Sequence, residues 1–159
     1  MISNENLQAI NNIPIVRDFV RCYGFDGVNC DGGYMLYNST FAVIFFDSLA
    51  DDYLEILLLN LKSNARYPAT RIFGFCRESG LLSIEQLRAH RSKSPESEHK
   101  MFLSYGDVKA EQLYDAFMAL NVVFPDLIYT SPELAALADK VDSSWTRPYL
   151  ECIEAAKNK

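Results

Sequence analysis

The apolar positions of this chain change period along its length, and each change marks an element. Val16, Phe19, Val20 and Tyr23 recur at helical spacing behind Pro14, which suits a helix's first turn, and Gly24 ends the run. Leu7 and Ile10 start a shorter helix before it. Phe25 to Gly33 is dense in Asp-Gly steps and predicts turns, because glycine accepts positive φ. Tyr34–Tyr37 and Phe41–Phe46 then read as two strands joined at Asn38-Ser39-Thr40, a hairpin. Phe41–Phe46 is apolar at every position, which predicts a central strand covered on both faces.

The next stretch reads two ways. Ser48 to Leu61 is leucine-rich with acids at its start, which predicts a helix, and Leu54, Leu57, Leu58 and Leu61 form one stripe. Tyr53, Ile56 and Leu59 widen that stripe almost all round, so a third antiparallel strand is the alternative. Thr70–Cys76 reads as a strand. Ser83 and Gln86 form a capping box, with Leu82 and Leu87 placed as a hydrophobic staple. Lys100–Tyr105 reads as another strand. Asp107 caps a helix whose inner face is Ala110, Leu113, Tyr114, Phe117 and Met118. Asp126–Tyr129 is a possible last strand. Ser131-Pro132-Glu133 opens a helix with Leu134, Leu137, Ala138 and Val141 inward, and Thr146–Ala156 closes the chain as a helix. Together these predict an α/β or α+β fold: one domain over residues 1–159, with a mixed sheet of about four to five strands packed with helices. Ser92–Glu98 has no apolar residue and predicts an exposed flexible loop.

Composition narrows the class. With 159 residues, 49% of them hydrophobic and 23% charged, the chain can build a core without metal or disulfide. No uncharged run approaches the ~18 residues of a membrane span. Met1 to Asn12 is polar with no signal-peptide pattern, which predicts a cytoplasmic protein. Cys22, Cys30, Cys76 and Cys152 make no CxxC pair and match no zinc spacing, so reduced, packed thiols are expected. Cys76, followed by Arg77, is the one with a hint of a cationic surround.

Charge is distributed unevenly. The net charge is -6. Residues 1–61 hold eight acids against two bases, a balance of -6, while residues 62–100 carry +4 and residues 101–159 carry -4. That pattern speaks against bulk nucleic-acid binding and for a basic protein partner meeting the first segment. His90 and His99 lie by the polar loop with no further ligands near in sequence, so no metal is expected. Phosphate loops, dinucleotide fingerprints and nucleophile elbows are missing, and no cofactor is expected. Arg88, His90, Arg91 and Lys93 form a basic stretch suited to a phosphate or an acidic surface, but they also fall in the last turn of a helix, where cations complement its dipole, and that is the preferred reading.

Two groups of residues remain as candidate partner contacts. Asp31, Asp47, Asp51, Asp52 and Glu55 supply charge in the first segment, with Tyr34, Tyr37 and Tyr53 as aromatic neighbours. Trp145, Arg147 and Tyr149 cluster near the C-terminus. The expected function is a non-catalytic protein-binding domain, such as an inhibitor or immunity-type protein that neutralises a basic partner. A secretion-type chaperone is an alternative, and it requires residues 53–61 to be a strand. A small α/β enzyme using Asp47 or Cys76 is the third reading, and it requires a pocket around those side chains.

Overall fold

The computed structural model describes residues 9–30, 33–47, 54–86, 89 and 107–159. A 3₁₀ turn at Ala9–Asn12 leads into helix α1, Pro14–Tyr23. Its apolar face buries Val16 and Phe19, and Gly24 ends it at φ 67°, a left-handed conformation that spares glycine the usual Cβ clash. Six strands follow: β1 (Asp26–Cys30), β2 (Gly33–Tyr37), β3 (Phe41–Asp47), β4 (Leu54–Asn60), β5 (Ala65–Pro68) and, much later, β6 (Asp139–Lys140). They lie in the sheet in chain order, and every neighbouring pair is antiparallel. Helices α2 (Ala69–Glu78), α3 (Asp107–Val123), α4 (Leu127–Thr130) and α5 (Pro132–Ala135) come between β5 and β6, and α6 (Ser143–Lys157) ends the chain.

The β2–β3 hairpin is built where the sequence places it. Asn38 Oδ1 accepts from the backbone N–H of Thr40 (2.9 Å) and of Phe41 (2.7 Å), an Asx turn that aligns Tyr37 with Ala42. From there side chains alternate across the sheet. Tyr34, Leu36, Val43, Phe45, Leu54, Ile56 and Leu58 face a front layer made by α1, α2 and α3. Met35, Tyr37, Ala42, Ile44, Leu57 and Leu59 face back, where α6 lies across the sheet with Trp145, Tyr149, Cys152 and Ile153 against them. Both faces of β2, β3 and β4 are therefore dry, which is why these strands are apolar at nearly every position. The result is a three-layer α+β domain.

Several local readings change. Leu54–Asn60 is a strand, not a helix: its all-round apolarity reflects burial on two sheet faces, and seven register pairs with β3 hold it there. Thr70–Cys76 is helical, because Ala69, Ile72 and Cys76 at helical spacing reach the front core once Pro68 has ended β5. Asp26–Cys30 is a strand, since Val28 and Cys30 find a partner in β2, and Leu127–Thr130 is one helical turn. The helix opened by Ser131 is also a single turn, with Leu134 buried. The sheet accordingly has six strands, all antiparallel. The capping box is formed: Ser83 N–H donates to Gln86 Oε1 (2.8 Å), and Gln86 N–H to Ser83 Oγ (3.1 Å). Leu87, the Lys100–Tyr105 segment and the 92–98 loop lie outside the described residues.

Leu57 sits in the middle of the back face, 4% exposed and opposite Ile44. An unpaired carboxylate there costs several kcal/mol, a large part of the ~5–15 kcal/mol that holds a domain together. Leu57→Asp is expected to abolish cooperative unfolding, measured by circular dichroism through a thermal ramp. A variant with unchanged melting would contradict the two-faced packing.

Candidate functional site

Antiparallel register decides which chain connections meet. Cys30 pairs with Gly33, Gly33 with Phe46, and Phe46 with Glu55, while Asp47 pairs with Leu54. The β1–β2 and β3–β4 connections therefore leave and re-enter the sheet at the same end. Between Gly24 and Leu61 the chain holds Asp26, Asp31, Asp47, Asp51, Asp52 and Glu55, and not one Lys or Arg. Five of these six carboxylates, all but Asp26, belong to that end or to the connections that start and finish there. At the opposite end stand Lys62, in the β4–β5 turn, and Arg66, opposite Leu59.

The candidate contacts are distributed as follows. Asp31, Asp51, Asp52 and Tyr53 lie outside the described residues, and Asp47 closes β3. Glu55 is exposed, the one charged residue of β4. Tyr34 is inside the front layer: its hydroxyl accepts a hydrogen bond from Asn11 Nδ2, and its ring stacks with Phe45 at 6.1 Å. Gly27 makes room for that ring, because a Cβ there would meet the Tyr34 hydroxyl at 1.9 Å. Tyr37 is buried on the back face, where desolvation, with Asp26 and Cys152 nearby, pushes its phenol up.

The C-terminal group fastens α6 to the sheet. Asp142 caps the helix, its carboxylate accepting from the N–H of Ser144 (2.9 Å) and of Trp145 (3.1 Å). Trp145 is half-buried, with the Arg66 guanidinium 5.1 Å from its ring centroid and the Tyr149 ring at 5.2 Å. Tyr149 reaches on to Phe46 at 6.5 Å and lies within electrostatic range of Glu55. Arg147 points to solvent. Arg66 also pairs with Asp139 (3.4 Å), and Arg71 from α2 pairs with the other oxygen (2.9 Å). Among the described residues the two sequence groups meet on the back face, where Tyr37 shares a layer with Trp145 and Tyr149 and Glu55 lies within electrostatic range of Tyr149, while Tyr34 is on the opposite face.

A pocket of about 210 Å³ opens at the acidic end beside β4. Leu54, Glu55 and Ile56 form one wall, Pro68, Ala69, Thr70 and Phe73 a second, and Gln112, Asp115 and Ala116 of α3 the third. Gln112 Oε1 accepts from the Leu54 N–H at 2.7 Å. The sequence reading missed this pocket. Its one visible signal is Pro68, which cuts β5 short; the contributions of Thr70 and Gln112 depend on which helices pack over the strand.

Chemistry elsewhere is sparse. Cys76 is fully buried in the front core, and burial pushes its thiol up to about 11. Among the described residues no three His, Cys, Asp or Glu side chains group as metal ligands, and no helix is long and apolar enough to cross a membrane. No family model, curated protein or solved structure matches the chain.

Two outcomes follow. Ellman's reagent at pH 8 should modify exposed Cys22 at once and Cys76 only as the protein unfolds; early labelling of Cys76 would contradict its packing. Asp139 is held below the usual carboxylate range chiefly by its hydrogen bond from Arg71, which outweighs the opposing effect of desolvation, with Arg66 adding a further lowering contribution. A depressed native pKa contributes stability that is present above the unfolded value of about 3.9 and lost as pH falls through the native one. Asp139→Asn should therefore lower stability at neutral pH, and the gap from the native protein should close on acidification below about pH 4. A gap unchanged down to pH 2 in acid titration would assign the loss to something other than this ion pair.

Proposed function

We propose that this chain is a non-catalytic protein-binding module, of the inhibitor or immunity type, whose partner presents a basic surface to the acidic end of the sheet. One observation supports the reading: four adjacent strands with their connections hold six carboxylates and no cation, and the register sets Asp47 at the end of β3 and Glu55 near the start of β4 at one end of the sheet. Uncompensated charge of one sign costs the folded state self-repulsion and speeds the arrival of a partner of opposite sign. The buried, high-pKa thiol of Cys76 supports a non-catalytic role, since a nucleophile needs an accessible thiolate. A second reading, an escort for a secreted protein, is favoured by one feature: Leu54–Asn60 is a strand, as that reading requires. The two differ in the state of the partner, folded for an inhibitor and extended for an escort.

The test is comparative capture from cell extract, with the native chain and the Asp51→Lys/Asp52→Lys/Glu55→Lys variant as paired baits. The native bait should retain a basic protein that the variant loses. In binding kinetics with that protein, association by the variant should slow about tenfold at low salt and lose its salt dependence. Equal retention by both baits, or enrichment of acidic proteins only, would overturn the proposal.

A further inference from the structure

Two thiols from distant parts of the chain meet where α6 packs along β1. Cys30 closes β1 and is 8% exposed, Cys152 is half-buried on α6, and both belong to the back layer. Trp145, Tyr149, Cys152 and Ile153 recur at helical spacing, so Cys152 lies on the face of α6 turned to the sheet. Val28 and Cys30 alternate with exposed Gly27 and Asn29 and point to that same face. The Cys152 thiol donates to the Asn29 carbonyl oxygen at 3.2 Å. That carbonyl carbon is bonded to the Cys30 nitrogen, and standard peptide dimensions hold its oxygen within ~3 Å of the Cys30 Cα. The Cys152 sulfur is therefore at most ~6 Å from that Cα. A disulfide sets its two Cα atoms ~4.4–6.8 Å apart, so rotation of the two side chains, with at most a small shift of α6, joins the sulfurs. The Tyr149 phenol, one turn back on α6, lies within electrostatic range of Cys30, which places the same two elements side by side.

We propose that Cys30 and Cys152 are a thiol–disulfide pair: oxidation by a small disulfide of the glutathione class staples α6 to β1, and reduction releases it. Cys152, the more exposed thiol, attacks the small disulfide as its thiolate, forms one S–S bond and expels one small thiolate. Cys30 then attacks the Cys152 sulfur of that mixed disulfide and expels the second. The two protein sulfurs give up two electrons, the small disulfide takes them, and the two thiol protons end on the two small thiols. The fold gives this bond a consequence. The Asp142 cap, Trp145 against Arg66 and the Asp139 ion pairs all hold α6 near its start. The bridge fastens the second half of the helix, and it ties together positions far apart in the chain, where a cross-link restricts the unfolded state most. The other two cysteines stand apart from this pair: Cys76 is fully buried in the front core, and Cys22 is exposed on α1, a front-layer helix. The inference does not rest on the functional reading above.

The test uses the full chain carrying Cys22→Ser, which removes the exposed thiol of the front layer. The protein is equilibrated in glutathione buffers of rising oxidised share, quenched with acid, alkylated and mapped by peptide mass spectrometry. A Cys30–Cys152 cross-linked peptide is expected as the main product, with Cys76 unmodified. Oxidation should raise the melting temperature by roughly 5–15 °C, reversed by dithiothreitol. Cys30→Ser in the same background should stop at the glutathione adduct of Cys152. In the guanidinium-unfolded chain, conversion of the adduct to the cross-link should slow ~100-fold or more, because a loop of about 120 residues must then close by chance. A folded chain that takes up no glutathione, that stops at the Cys152 adduct, or that cross-links faster when unfolded would overturn the pairing. A cross-link that lowers the melting temperature would overturn its role as a staple.

Discussion

Everything in this fold depends on a sheet that is dry on both sides. Strand β3 supplies the test case: Phe41, Val43 and Phe45 are buried toward α1–α3, while Ala42 and Ile44 are buried toward α6. A strand in that position can shift neither its register nor its face without driving six apolar side chains into the wrong layer. β4 is bound by the same condition through its seven pairs with β3. Two helical layers are thus required by these strands, which carry no polar side chain from Phe41 to Phe46 or from Ile56 to Leu59.

The two layers are held differently. The front one is aromatic: Phe19 packs within 5.3 Å, centroid to centroid, of Tyr23, Phe25, Phe117 and Phe124, joining α1 and α3 above the sheet. The back one is a single helix, so its attachment matters more per contact. Trp145 between Arg66 and Tyr149, the Asp142 cap and the Arg66–Asp139–Arg71 pairs all lie near its start. These polar groups fix the place where α6 crosses β5, while the area buried behind Met35, Ile44 and Leu57 supplies the stabilisation.

A sheet covered on both faces has only its ends and edges left for recognition. The sequence connecting β3 to β4 is acidic, and β5 stops at Pro68, so among the described residues no strand lies beside Leu54–Ile56.

Much of this was legible in the sequence, and the rest was not, for physical reasons. The helix before Gly24, the Asn38 hairpin, the two-faced burial of Phe41–Phe46 and the Ser83–Gln86 box each depend on a few neighbouring residues, so local chemistry decides them. The clustering of acids before Leu61 was equally plain. Thr70–Cys76 was read as a strand and is helical, and of the two readings of Leu54–Asn60 the strand holds, because a leucine-rich run and a β-branched, aromatic one carry propensities of under about 1 kcal/mol per residue. Burial decided both: β3 offered one a ladder, and the front core offered the other a groove. Which carboxylates share an end, that Tyr34 faces front while Tyr37 faces back, and that Gln112 meets Leu54 all depend on register and on helices packed from distant parts of the chain. Contacts across 58 residues, as between Leu54 and Gln112, leave no periodic trace along the chain, and only the folded sheet could bring them together.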